Sequence, residues 1–101
     1  MINEEAASYA ETVCMIFKAY AKNAVFIGRP TQGSNGDVIS FFLPGGISVG
    51  FSSLDWHFPD TKQLQRVGII PDIKVEKTVE TIIKGNDEIM ERAIIFSETG
   101  K

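Results

Sequence analysis

A single cysteine, Cys14, stands among 101 residues, which excludes an internal disulfide and a cysteine-built metal cluster. Basic residues are few and dispersed: 10 Lys+Arg against 13 Asp+Glu leave a formal net charge of -3. Without a basic cluster there is no electrostatic footprint for nucleic acid or an anionic membrane surface. No apolar stretch approaches the roughly 20 residues that cross a bilayer. A basic start followed by an apolar run, the mark of a signal peptide, is also missing. There is no metal-ligand spacing, internal repeat, low-complexity segment or linker, and nothing implies a cofactor. What remains is 44% hydrophobic and 23% charged, the composition of an ordinary globular chain. Its length suits one small domain, residues 1–101, and not two.

Residues 5–22 read as a first helix. Ala10, Val13, Cys14, Phe17 and Ala21 recur at helical spacing, and Ala6, Ile16 and Tyr20 widen the stripe, so this face is expected to be buried against a sheet. Glu11, Lys18 and Lys22 fall on the opposite side. Asn3 is the N-cap candidate, with Glu4 and Glu5 suited to the positive end of the helix dipole. A short apolar run at 24–28 reads as a buried strand, and RPTQGSNGD at 29–37 as a loop dense in turn formers. VISFFL at 38–43 and ISVGFSSL at 47–54 flank Pro44-Gly45-Gly46, a hairpin signal, and WHF at 56–58 extends the second strand. Residues 67–75 are strand-like but interrupted by Pro71. A short helix at 78–84 closes on Gly85, and Asn86 or Asp87 caps a last helix to about Phe96. This order predicts an α/β fold: a mixed sheet covered by helices.

Three segments offer chemistry. In NEEAASYAE, residues 3–11, Ser8 lies near the start of a buried helix, where amides unpaired within the helix and the helix dipole can stabilise a developing oxyanion; taken alone, such a serine is more often a plain helix residue or secondary cap. The glycine-rich loop holding Gly33 and Ser34 follows a strand and can approach a substrate backbone or simply turn; it lacks the arrangement of a phosphate-cradling loop. VGIIPDIKV, residues 67–75, supplies a glycine hinge and a Pro-Asp turn.

In this order and spacing, the segments resemble the C-terminal-processing (tail-specific) serine peptidases. Asn3, Glu4, Ala7, Ser8 and Glu11 match that family's serine-bearing stretch. Ile27-Gly28, Thr31 and Gly33 match its next segment, and Pro59, Gly68-Ile69 and Pro71-Asp72-Ile73 match the last. LPGG at 43–46 and GNDEIMERAI at 85–94 are similar to one branch of the family. The resemblance implies the C-terminal part of a crotonase/Clp-protease-like catalytic domain and a serine endopeptidase acting on protein or peptide substrates. By position Ser8 is then the nucleophile that forms an acyl-enzyme, and the backbone N–H of Tyr9 contributes to the oxyanion hole. Gly33 and Ser34 become a substrate-loop candidate, while Asn3 and Glu11 support the turn and helix. Relatives of this kind are often extracytoplasmic in bacteria.

The chain departs from the better-known branch at the general base. Ser34 occupies the position of that branch's lysine, and a hydroxyl cannot accept a proton near neutrality. Either the base comes from an earlier segment, as in the branch that uses a histidine, or the chain is an inactive relative acting as a binding or assembly module. The first reading is preferred because Ser8 and its surrounding pattern persist. His57, the single histidine, sits between Trp56 and Phe58 and reads as structural or surface. Cys14 reads as a small buried hydrophobe. The helix-like pattern begins within a few residues of Met1, so a fragment with little activity of its own is expected. Apolar surface left uncovered should then drive association of copies.

Overall fold

The computed structural model describes all residues, 1–101. Its elements in chain order are α1 (Tyr9–Tyr20), β1 (Ile27–Gly28), β2 (Val38–Leu43), β3 (Ile47–Ser52), β4 (Ile73–Lys74), α2 (Val79–Lys84) and α3 (Glu88–Thr99). The α/β reading holds. Parallel and antiparallel pairings fall in two separate two-stranded sheets, β1–β4 and β2–β3.

The parallel sheet is the anchor. Ile27 pairs with Ile73 and Gly28 with Lys74, and Ile2 bridges Gly28 from the other side. Phe26 extends this layer: its carbonyl accepts from the amides of Asp72 and Ile73, while its own N–H donates to Asp72 Oδ2 at 2.8 Å. Pro71, two residues before β4, cannot donate to a ladder, which limits how far the pairing extends on that side. Ile2, Met15, Phe26, Leu64 and Ile69 form the core beside this layer, with Cys14, Ala24, Trp56 and Phe58 packed against it. Only 15 of 101 residues are buried, so this core leaves most of the apolar side chains outside.

The helix ends follow from local chemistry. Thr78 caps α2 by accepting from Thr81 N, and Gly85 closes it in the left-handed region. Asp87 caps α3 by accepting from Met90 N, and Gly100 ends it in the same way. Of the expected α3 stripe only Ile89 is buried, against β1.

Three expectations are corrected. Helix α1 starts at Tyr9 and not at residue 5, and Asn3 is not its cap. Ile2 pairs across Ile27 and Arg29, and Ala6 O accepts from Gln32 N, which draws these residues out of a helix. Asn3 instead accepts from Glu5 N within a turn. Second, the inward face of α1 is only partly the expected one: Cys14 packs against the core as the stripe implies, but Glu11, expected outside, is buried together with Met15, while Phe17 is 53% and Tyr20 83% exposed. Third, Trp56 and Phe58 do not extend β3. They turn to the core, and His57 forms an isolated bridge with Gln63.

Candidate active site

Ser8 sits at the N-cap position of α1 with φ 52 and ψ -119. This is the region of the first central residue of a type II′ turn, which glycine normally fills. A side chain held there costs of order 1–3 kcal/mol. An N-cap serine ordinarily offsets its ordering by accepting an amide from the first turn; Ser8 makes no such bond and is exposed. The Ser8 carbonyl accepts from Glu11 and Thr12, whereas the N–H of Tyr9 donates to no carbonyl of the chain. A free hydroxyl thus stands beside a free amide at the positive end of a helix.

One turn further, Glu11 is fully buried. Its Oε1 accepts from Thr31 Oγ1 at 2.5 Å and Gly33 N at 2.7 Å, and its Oε2 from Ser34 N at 3.0 Å. Two further bonds hold the same loop to the same helix start: Asn35 Nδ2 to Thr12 Oγ1 at 2.7 Å, and Gln32 N to Ala6 O at 3.0 Å. Thr31 also receives Ile69 N on its hydroxyl at 2.7 Å, and its own N–H donates to Ile69 O. The three segments singled out in the sequence therefore meet at one junction through Glu11 and Thr31.

Glycine is required at that junction. A Cβ on Gly68, at φ +75, would lie 2.3 Å from Thr31 O; one on Gly33, at φ +69, would lie 2.7 Å from Gly68 N.

The structure brings Gly33 and the Ser34 amide onto the first turns of α1 through Glu11. Ser34 Oγ donates to Gln32 Oε1 at 2.8 Å, so the hydroxyl in the lysine position is engaged within its own loop. His57 does not join Ser8: its ring nitrogens face Asp55 Oδ2 at 2.8 Å and Thr61 O at 3.4 Å. The Asp55 hydrogen bond, then the Thr61 carbonyl, hold its pKa above the ordinary histidine value. Burial pushes the Cys14 thiol up, which suits an unreactive packing residue. Sequence reasoning missed the Asn35–Thr12 tie; a buried asparagine inside a turn-rich loop carries little sequence signal.

Two clefts flank the junction's elements. One, of about 430 Å³, lies between Arg29, Lys77 and the start of α3. The other, of about 550 Å³, lies between Lys18, Phe58, Lys62 and Gly68. Ser8 lines neither. Arg29 grips Glu4 with two nitrogens, at 2.8 and 3.2 Å, and that contact lowers the Glu4 pKa.

The model of peptidase family S41 matches residues 1–75, which contain all of the Glu11–Thr31 junction. The solved structure of a protein assigned as a peptidase, from Parabacteroides merdae ATCC 43184, is 32% identical with a TM-score of 0.76. It covers 91% of this chain and 29% of its own. The photosystem II D1 C-terminal processing protease shares the fold at 20% identity and a TM-score of 0.60, covering 86% of this chain and 24% of its own. This chain thus spans under a third of each solved structure. No curated protein sequence matches it. With the serine-bearing turn, the glycine loop and the Pro-Asp turn all inside the matched region, the chain belongs to peptidase family S41.

Proposed function

We propose that this chain is the C-terminal part of a serine endopeptidase domain in which Ser8 is the nucleophile. Ser8 Oγ attacks the scissile carbonyl carbon as a base removes its proton. The amide C–N bond then breaks, the base delivers that proton to the leaving amine, and water hydrolyses the acyl-enzyme. The Tyr9 N–H donates to the oxyanion. The Gly33–Ser34 loop, held by Glu11, lies along the substrate. No cofactor takes part.

The backbone of Ser8 supports this reading best. A non-glycine residue in a glycine region, at a helix start, whose hydroxyl does not cap, is a strained turn whose side chain serves no local purpose. Nucleophilic serines on sharp turns into helices are held in this way. In this reading the base lies outside these residues, since Ser34 cannot serve and the two ring nitrogens of His57 face Asp55 and Thr61 and not Ser8. The same incompleteness leaves Ser8 without a cleft and apolar surface open, and copies of the chain associate through that surface.

The test is fluorophosphonate labelling of the longest natural polypeptide carrying this sequence. Labelling lost on Ser8→Ala supports the peptidase. Absence of labelling while a peptide still binds overturns it in favour of a binding module. The isolated 101-residue chain is expected to cleave nothing. Turnover by it, abolished in Ser8→Ala, would show that the base is within this chain after all.

A further inference from the structure

The β2–β3 hairpin has two unlike faces. The pairs Ile39–Phe51, Phe41–Val49 and Leu43–Ile47 set six apolar side chains on one of them, where the Phe41 and Phe51 rings meet edge to face at 6.2 Å. The pairs Val38–Ser52, Ser40–Gly50 and Phe42–Ser48 form the other. An antiparallel sheet divided this way lays its apolar face on a core. Here that face is open: Ile39 is 50%, Phe41 46%, Ile47 59% and Phe51 48% exposed. No charged residue occurs between Asp37 and Asp55, so the charges that usually guard an exposed sheet are missing.

We propose that a second copy of this chain covers that face, two hairpins packing face to face as a four-stranded sandwich. The proposal rests on the association put forward above and names its surface; it does not depend on the role of Ser8. The face is self-complementary, with no charge and no side-chain hydrogen-bonding group that needs a partner. Its size sets the strength: six half-open apolar side chains expose roughly 500 Å², so two copies bury about 1,000 Å², the lower bound for a specific interface. The dimer is therefore weak and concentration-dependent. Pairing through the free outer edges of β2 and β3 is disfavoured, because it would leave the apolar face wet.

Sedimentation velocity over a roughly hundredfold range of concentration reads the equilibrium. Phe41→Lys, on the apolar face, is expected to weaken the dimer at least about tenfold. Phe42→Lys, the next residue on the opposite face, is expected to leave it within about twofold. A chain monomeric throughout overturns association. A dimer weakened equally by both variants overturns the face. NMR on dilution of the wild type covers the case of a variant that fails to fold. The Ile39, Leu43 and Ile47 methyl resonances must shift and the Val38 methyl resonances must not; the reverse places the contact elsewhere.

Discussion

Glu11 Oε1 accepts the Gly33 amide at 2.7 Å across 22 residues of sequence, and this bond seats the glycine loop on the start of α1. Removing a buried acceptor orphans its donors, at about 1–3 kcal/mol for a group left unsatisfied. Glu11→Ala is expected to lower stability by about 3 kcal/mol in urea titration. Hydrogen exchange at Gly33 and Ser34 should accelerate beyond that at Ile27. An unchanged midpoint would remove the role given to Glu11.

Ser8 separates capping from strain. Were it an ordinary N-cap, Ser8→Ala would cost about 1 kcal/mol; because it makes no cap bond, the change is expected within about 0.5 kcal/mol. Ser8→Gly relieves the positive φ and is expected to stabilise by about 1 kcal/mol. Equal destabilisation by both substitutions would contradict the strained turn.

The two glycines Gly68 and Gly45 both have positive φ but differ in surroundings. Gly68→Ala drives a Cβ to 2.3 Å from Thr31 O, and a loss of at least about 3 kcal/mol is expected. Gly45→Ala meets nothing within 4 Å, leaving backbone strain of about 1 kcal/mol. Thermal melts of the two variants should differ accordingly.

His57 is expected to titrate above its ordinary value of 6.5, chiefly because of Asp55, and Asp55→Asn should return it towards that value. Since the folded pKa is raised, the stabilisation is fully present below about pH 6.5 and lost as pH rises through the folded pKa. NMR titration of the imidazole protons measures this. The pair is exposed on both sides, so the effect on stability is small.

Much of the fold was legible in local patterns. The hairpin around Pro44-Gly45-Gly46, the Asp87 cap and the closing Gly85 depend on residues within a few positions of one another, which short-range chemistry decides. The order of the serine, glycine-loop and Pro-Asp segments was enough to point to the family. The inward face of α1 was only partly legible. Its periodicity nominated Ala10, Val13, Cys14, Phe17 and Ala21; of these Cys14 packs on the core, yet it is Glu11 and Met15 that are buried.

The amino-acid sequence by itself settled the hairpin turn, the stop at Gly85 and the start of the last helix, which segments belong together in kind, and that Ser8 lies near a helix start. Only the tertiary structure decided that Glu11 is a buried acceptor, that Thr31 joins the loop to Ile69, and that one hairpin face has no cover. The physical reason is range. A helix's own spacing registers neighbours three and four residues away, whereas the donors that turn Glu11 inward lie 20 to 23 residues along the chain and become neighbours only when the loop folds back.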